Sequence, residues 1–275
     1  MVGYVGGFVL FAALLRATWN AVLHGNQDRF RSMTWMSVGM VVFSIIAIPF
    51  LPIPNPSAWP YIIASGIVHI VYNISLVRAY RTGDLGVAYP ISRGSSPLLV
   101  ALVAALFARE RLAPVHVLGV LFVSFGIISL SLQRGQVSRK GTIWALITGS
   151  TIAAYTVIDG IGVRLSGHAA SYAVWMFSFY VLMPVLFIQR RGATELGALL
   201  RDISGSIGGG VLAVAAYGIV IWAMQSSAMG SVSALRETSV LFAALIGRIF
   251  LGEQLTYGRV ASCVAIVLGA ICLRG

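Results

Sequence analysis

The sequence predicts an all-α integral membrane protein of ten transmembrane helices, and its composition and hydrophobic patterning carry that prediction. Hydrophobic residues make up 58% of the 275 residues and charged residues only 10%, against roughly 25% charged residues in an average soluble domain. The mean hydropathy is +0.90. A soluble core cannot bury this much apolar sequence, so lipid is the expected surroundings of most of the chain.

Ten apolar runs follow one another along the chain, each of about 20 residues, the length that a helix needs to cross a bilayer. The first run carries Arg16 and Asn20 and is followed by no small-residue cleavage site, so we predict a retained helix and not a signal peptide. The breaks between runs are short and leave no room for an extramembrane domain. The predicted spans are 3–24, 32–51, 58–80, 85–107, 113–132, 141–163, 169–189, 205–227, 230–251 and 256–274.

An internal repeat is the second organising feature of the sequence. Residues 90–130 match residues 233–273 at a constant offset of 143. The offset pairs charged residues and a glycine: Arg93 with Arg236, Glu110 with Glu253, and Gly126 with Gly269. Chance similarity between two Leu/Ala-rich helices is the alternative, but it does not explain matched charged residues in apolar sequence.

The number of segments in each half predicts their relative orientation. Each half holds five segments, an odd number, so the two halves insert in opposite directions, which is the inverted-repeat plan of many secondary transporters. We predict a first five-helix repeat over 1–133, a linker over 134–140 and a second repeat over 141–275.

The distribution of Lys and Arg predicts the orientation of the chain in the membrane. Of the 19 Lys and Arg residues, twelve fall on one side, four on the other and three inside helices. Because cytoplasmic loops are enriched in positive residues, we expect both termini outside the cytoplasm. The formal net charge of +11 is interpreted as this topology signal at lipid headgroups, and no nucleic-acid partner is expected.

Charged residues inside the predicted helices are the first candidates for a substrate site. A charge at the bilayer centre costs about 2.5 to 3.5 kcal/mol on insertion scales, so such residues are functional candidates by default. The five are Arg16, Arg93, Asp159, Arg236 and Glu237. Their charges sum to +1, which favours a substrate with an anionic group.

Arg93 and Arg236 occupy equivalent positions in the two repeats, which places them about a pseudo-two-fold axis. Two guanidinium groups there can clamp a carboxylate or phosphonate. The alternative interpretation is that each arginine is structural, tied to backbone carbonyls or to an acid. Glu237 follows Arg236 directly, and neighbouring helix residues point about 100° apart, so we do not expect these two to pair with each other.

Glu237 and Asp159 are candidates for proton coupling, since an ionised carboxyl group is costly in apolar surroundings. A purely structural role is the alternative for each. Glu110 and Glu253 lie at helix ends beside turns, so for them we predict a structural role in capping or pairing.

Uncharged polar and aromatic residues extend the candidate substrate site. Asn73 lies one turn after His69, so both can face one cavity. The further substrate-binding candidates are Trp19, Asn20, Tyr72, Asn73, Tyr155 and Tyr217. Aromatic rings at these positions can form walls around a substrate or a cage for an ammonium group; packing and anchoring at the membrane interface are the alternative.

Two blocks of sequence carry a resemblance to a known family. They are PLLVALVAALFARERLAPVHVLGVLFVSFGIISL and VLFAALIGRIFLGEQLTYGRVASCVAIVLGAICL. In each, an apolar helix is followed by a Glu with a Leu two residues later, at Glu110 and Leu112 and at Glu253 and Leu255, and then by a Gly-containing helix. The blocks resemble the paired EamA-type repeats of the drug/metabolite transporter superfamily, and the five-plus-five plan covers the whole chain.

The resemblance implies a multi-pass carrier of small metabolites in the bacterial inner membrane, working by alternating access around a central cavity. Ten-helix members of the superfamily are usually described with both termini in the cytoplasm, which is opposite to the charge bias of this chain. The resemblance does not imply a particular substrate, or import rather than export.

Motifs of other function classes are missing from the sequence. There is no GxxxxGK[ST] loop for ATP, and the four His residues lack HExxH spacing, so no enzyme, metal or cofactor is expected. The sequence predicts a secondary transporter of a small zwitterionic or anionic, amino-acid-like metabolite. The alternatives are a transporter of amines, quaternary ammonium compounds or drugs, and a channel or membrane-embedded enzyme. Expected partners are the small-molecule substrate, membrane lipid and a coupling proton, with monomer and homodimer both open.

Overall fold

The computed structural model describes residues 3–24, 29–82, 85–131, 138–192, 203–251 and 256–274, and these ranges are helical almost throughout. In chain order the helices are α1 (Gly3–His24), α2 (Arg29–Ala47), α3 (Trp59–Thr82), α4 (Leu85–Phe107), α5 (Pro114–Ser131), α6 (Arg139–Ser166), α7 (Ala169–Ser178), α8 (Leu182–Arg191), α9 (Ile203–Ser226), α10 (Met229–Glu237), α11 (Ser239–Leu251) and α12 (Tyr257–Arg274). Short 3-10 turns extend α2 over Ile48–Phe50, precede α3 over Pro56–Ala58, and join α7 to α8 over Phe179–Val181.

The predicted segments are all found in these helices, but two of them are divided. The seventh segment consists of α7 and α8, and the ninth consists of α10 and α11, which are separated at Thr238. Within the described ranges, eight spans are long and apolar enough to cross a membrane, and α1 contributes a shorter apolar stretch, Tyr4–Thr18. The predicted class is confirmed: the chain is an all-α integral membrane protein.

The ends of α6 show how local sequence fixes helix boundaries. The Ser138 hydroxyl accepts a hydrogen bond from the backbone N–H of Gly141, which satisfies a free donor at the start of the helix. Gly167 ends the helix with φ of +77°, a left-handed conformation in which only glycine avoids a steric penalty. The chain therefore leaves α6 sharply and enters α7 two residues later.

The helix contacts occur in equivalent pairs. Replacing each helix by its counterpart in the other repeat converts one contact of a pair into the other. α3 packs against α6, and their counterparts α9 and α1 pack against each other. α4 packs against α6, as α10 and α11 pack against α1. The contact between α5 and α12 is its own counterpart. This pattern is that of two repeats related by a pseudo-two-fold axis. The linker position stays a prediction, because residues 132–137 lie outside the described ranges.

The crossing of α5 and α12 lies on this pseudo-two-fold axis. A Cβ atom on Gly119 would lie 2.9 Å from the carbonyl oxygen of Gly269, and one on Gly126 would lie 3.1 Å from that of Ser262. The offset of 143 pairs Gly119 with Ser262 and Gly126 with Gly269. The contact of Gly119 with Gly269 is therefore the counterpart of the contact of Gly126 with Ser262. Small residues at both contacts allow the helix backbones to touch.

One end of the helix bundle is held together by hydrogen bonds between the halves. The backbone N–H of Asn55 donates to the carbonyl of Ser166 at 3.2 Å, and the Asn55 amide donates to the carbonyl of Leu165 at 3.2 Å. Both bonds join the α2–α3 connection of the first repeat to the end of α6 in the second.

Glu110 and Arg164 form the second tie at this end. Arg164 donates to Glu110 and to the carbonyl oxygens of Met224 at 3.0 Å and Ser227 at 2.9 Å. The other carboxylate oxygen of Glu110 accepts from the backbone N–H of Met229 at 2.9 Å, so it caps the start of α10. Glu110 thus both pairs and caps at its turn, whereas its counterpart Glu253 lies outside the described ranges.

We predict that Gly269→Ala lowers the melting temperature of the purified protein. The new Cβ would lie 2.7 Å from the carbonyl oxygen of Gly119, and overpacking of this kind costs about 1 to 3 kcal/mol. The matched control is Gly218→Ala in α9, where a Cβ meets nothing within 4 Å and the change is expected to be neutral or slightly stabilising. Thermal unfolding in detergent measures both; equal melting temperatures would contradict the backbone contact.

Candidate functional site

A cavity of about 90 Å³ lies among α1, α2, α3, α6, α7, α9 and α10. Its polar lining comprises Arg16, Ser37, His69, Tyr72, Asn73, Tyr155, Tyr180, Tyr217 and Arg236. Its apolar lining comprises Ala12, Met33, Met36, Met40, Phe177, Ala213, Ala216 and Val220. Both repeats contribute to the wall, as a site at the interface of inverted repeats requires.

The charged end of the cavity is a buried ion triad of Arg16, Glu237 and Arg236. Arg16 Nη1 donates to Glu237 Oε1 at 2.8 Å. The same oxygen accepts from Arg236 Nε at 3.2 Å and lies 3.1 Å from Arg236 Nη2. One carboxylate therefore faces two guanidinium groups, and the triad carries a net charge of +1.

The contact between Arg236 and Glu237 corrects our expectation from the sequence. Adjacent residues of a helix point about 100° apart, and both of these residues belong to α10. Their side chains are nevertheless long enough to converge on one point, and Glu237 Oε1 meets two nitrogen atoms of Arg236 there. Helical spacing alone did not predict this contact.

Arg93 is buried in a different setting from its counterpart Arg236. Its Nη2 donates to the hydroxyl of Tyr72 at 3.0 Å, and its guanidinium carbon lies 5.9 Å from the Tyr72 ring centre and 5.4 Å from that of Tyr89. The side chain is fully buried, and neither Nε nor Nη1 has a hydrogen-bond partner among the described residues. Arg93 reaches the cavity only through Tyr72, which lies on the cavity wall.

Asp159 of α6 is buried behind the wall of the cavity, where it accepts hydrogen bonds from tyrosine hydroxyls. Tyr172 donates to Oδ1 at 2.9 Å and Tyr217 donates to Oδ2 at 2.6 Å. Since Tyr217 also lines the cavity, one side chain connects Asp159 to the space in which a ligand would lie.

Aromatic rings from three helices form a cluster at the cavity wall. The His69 ring stacks on Tyr155 with 4.0 Å between centres, and Tyr155 meets Tyr72 and Tyr217 edge to face at 5.5 and 5.7 Å. The guanidinium carbon of Arg236 lies 5.9 and 5.7 Å from the rings of Tyr155 and Tyr217. Such a cluster offers flat apolar surface beside a cationic group.

The sequence-derived candidates fall into three groups in the structure. Tyr72, Asn73, Tyr155, Tyr217 and Arg236 line the cavity. Arg93, Asp159 and Glu237 lie behind its wall, each in contact with a lining residue. Trp19 and Asn20 belong to α1, but their side chains lie outside what the structure describes.

Other lining residues were not among those candidates. Arg16, one of the five charged candidates, and His69, expected to face one cavity with Asn73, also line the cavity, although neither had been named as a substrate-binding residue. Met33, Met36 and Met40 recur on one face of α2 at helical spacing, a pattern that predicts a helix face without showing what it faces. Among the described residues, no group of three His, Cys, Asp or Glu side chains could hold a metal ion.

A cavity with buried charges at the interface of two inverted membrane repeats is typical of membrane transporters of small molecules. The sequence model of the EamA-like transporter family matches residues 5–132 and 139–275. The chain therefore belongs to the EamA-like transporter family, the resemblance noted in its repeats is confirmed, and its general function is transport.

Two relatives align along most of the chain. An uncharacterized transporter of Archaeoglobus fulgidus is 22% identical over 246 residues, which cover 89% of this chain and 86% of the relative. The uncharacterized transporter YwfM of Bacillus subtilis is 24% identical over 226 residues, or 78% of this chain and 73% of the relative.

A third relative aligns over a shorter stretch, and one solved structure shares the fold. The nicotine metabolites export pump subunit NepA of Paenarthrobacter nicotinovorans is 34% identical over 61 residues, which are 22% of this chain and about half (53%) of NepA. One protein of known crystal structure superposes with a TM-score of 0.73 and 17% identity, covering 98% of this chain and 95% of the other. This last similarity shows the fold alone.

We predict that Glu237→Gln strongly destabilises the protein. The change leaves the guanidinium groups of Arg16 and Arg236 facing each other without the carboxylate that they share, and breaking a buried pair in this way costs about 3 to 5 kcal/mol. The control is Glu110→Gln, which breaks a partly exposed pair and is expected to cost about 1 kcal/mol or less. Thermal unfolding measures both, and a similar loss in the two variants would contradict the role assigned to the triad.

Proposed function

We propose that this protein is a secondary active transporter that moves a small zwitterionic or anionic, amino-acid-like metabolite by alternating access. The observation that supports this proposal most directly is the Arg93 guanidinium, which is fully buried and has two nitrogen atoms without partners among the described residues. A buried cation without a counter-charge is expensive. Arg93 lies directly behind Tyr72 of the cavity wall, and the anionic group of a substrate that displaced Tyr72 from it would supply the missing partner.

The comparison of the two repeats supports the same proposal. Glu237 stands beside Arg236 in the second repeat, but the equivalent position in the first repeat is Gly94. The first repeat thus supplies no acid next to Arg93. We infer that Glu237 partly neutralises Arg236, whereas Arg93 depends on a ligand for its counter-charge.

The size and lining of the cavity favour a small ligand. Its volume of about 90 Å³ lies well below the roughly 300 Å³ at which pockets for drug-sized ligands begin. Met33, Met36 and Phe177 offer an apolar surface, which suits a short apolar side chain. The arginines would hold the carboxylate of such a substrate.

A transporter of amines or quaternary ammonium compounds is the second candidate. The cluster of His69, Tyr72, Tyr155 and Tyr217 favours it, because aromatic faces attract ammonium groups. The partial similarity to a subunit named for the export of nicotine metabolites points in the same direction. The excess of guanidinium groups around the cavity opposes it, so we rank it second.

The location and orientation of the protein form part of the proposal. We place it in a bacterial inner membrane, with both termini outside the cytoplasm because twelve of the 19 Lys and Arg residues lie toward the opposite side. Labelling of cysteines introduced near each terminus, with reagents that do not cross the membrane, tests this orientation in intact cells.

We predict that zwitterionic or anionic ligands raise the melting temperature of the wild-type protein and not that of Arg93→Met. A ligand that binds only the folded state at 100 times its Kd stabilises it by about 2.7 kcal/mol. The screen uses amino acids, organic acids and phosphonates, each amino acid beside its decarboxylated amine. In the absence of ligand, Arg93→Met is expected to be no less stable than wild type, because an apolar side chain replaces an uncompensated charge.

The results separate the two candidate functions. Stabilisation by amines alone would favour an amine transporter whose site is formed by the aromatic cluster and the acidic residues. An unliganded Arg93→Met protein that unfolds far below wild type would instead make Arg93 structural. Counterflow of a labelled ligand in proteoliposomes then separates a carrier from a channel, because only a carrier exchanges substrate across the membrane.

A further inference from the structure

We propose that Asp159 is the site at which the coupling proton binds, and that Tyr217 links this proton to the substrate in the cavity. The inference rests on the proposed function, since it describes how the same cavity would couple substrate to protons. It also chooses between Asp159 and Glu237, the two carboxyl groups that the sequence offers for this role.

The partners of Asp159 are neutral hydroxyl groups. Tyr172 and Tyr217 donate to its two oxygen atoms at 2.9 and 2.6 Å, and the side chain is fully buried. No Lys, Arg or His nitrogen of the described residues lies within ion-pair distance of Asp159. The Ser65 hydroxyl is a further hydrogen-bond partner, and the charge of Arg236 acts on Asp159 from beyond ion-pair distance.

A hydroxyl partner suits both protonation states of a carboxyl group, because it can donate or accept. When a proton adds to Oδ2, the new O–H donates to the Tyr217 oxygen, and the Tyr217 hydroxyl hydrogen turns away from Asp159. One O–H bond forms, one hydrogen bond reverses direction, and no heavy atom has to move. The Asp159 site can thus gain and lose a proton at little structural cost.

Glu237 has partners of the opposite kind. The guanidinium groups of Arg16 and Arg236 contact its Oε1, and guanidinium nitrogens only donate. A proton on Glu237 would remove the negative charge that the two buried guanidinium groups share. Glu237 therefore serves as the counter-ion of the triad, whereas the direct partners of Asp159 are hydroxyl groups.

The other charged or titratable groups around Asp159 come from each helix that packs on α6. On α3, His69 bonds to Ser65, and its ring meets Tyr217 at 5.4 Å. On α10, Arg236 contacts the ring of Tyr217 and pairs with Glu237. On α4, Arg93 contacts Tyr72 and Tyr89 instead. Tyr172 on α7, Tyr217 on α9 and Ser65 on α3 are the hydroxyl partners of Asp159, and Arg236 also attracts its charge. Tyr155 lies on α6 itself.

Tyr217 can link proton binding at Asp159 to substrate binding in the cavity. Its ring lines the cavity, so the hydroxyl hydrogen released by a protonated Asp159 can turn to an acceptor in the cavity. The anionic group of a substrate is such an acceptor. Proton binding and anion binding then favour each other, and by linkage each raises the affinity for the other by the same factor.

Infrared difference spectroscopy during a pH titration tests the proton site without any substrate. The sample is the full-length protein in lipid, and the signal is the C=O stretch of a protonated carboxyl group, which appears as the pH falls. We expect one such band from the protein interior that shifts when aspartate carboxyls carry a ¹³C label, and that is lost in Asp159→Asn.

Tyrosine variants test the assignment independently of the folding of Asp159→Asn. Tyr217→Phe removes a hydroxyl that bonds to Asp159 and is expected to move the band. Tyr61→Phe removes a hydroxyl on α3 that makes no bond to Asp159, and is expected to leave the band in place. A band that persists in Asp159→Asn, that ignores the aspartate label, or that never appears would overturn the proposal.

The outcome is distinguishable from a failure of the proposed function. Ligand-induced stabilisation and counterflow that persist without the titrating band would refute the proton site alone. A band with all the expected properties, in a protein that neither binds nor exchanges any anion or zwitterion, would refute the proposed substrate class and leave the proton site in place.

Discussion

The shared carboxylate of Glu237 is the constraint on which the charged cavity depends. It holds Arg16 from the first repeat and Arg236 from the second with one oxygen atom, in a region where an uncompensated charge costs several kcal/mol. The contact joins the two halves at the point where they enclose the cavity. It also leaves the triad with one positive charge in excess.

Backbone symmetry and side-chain asymmetry have separate roles in this molecule. The helix packing is nearly equivalent in the two repeats, as the exchanged contacts of α3 with α6 and of α9 with α1 illustrate. Equivalent packing allows two arrangements of similar energy, which alternating access requires. The charges do not follow the symmetry, because Glu237 has Gly94 as its counterpart and Asp159 binds tyrosines instead of a cation. The helix packing is thus nearly symmetric, whereas the charges at the cavity are not.

Much of the fold could be predicted from the sequence, because the features that predict membrane helices are local to each segment. Apolar length, the five-segment repeat and the matched Arg93 and Arg236 require no knowledge of packing. The division of the ninth segment at Thr238 escaped prediction because no Pro or Gly marks it. The pairing of Arg236 with Glu237 escaped because helical spacing gives the direction of the Cβ atoms and not the path of two long side chains. The lining by Met33, Met36 and Met40 escaped for another reason: an apolar helix face looks the same whether it meets lipid, protein or a cavity.

The glycine crossing of α5 and α12 has a mechanical consequence for the whole molecule. The main chains meet at Gly119 and Gly269, and the side chains of Leu273 and Val123 already fill the space beside these glycines. Sliding of one helix along the other would press these side chains against the opposing main chain. The crossing therefore resists a change of register between the two halves.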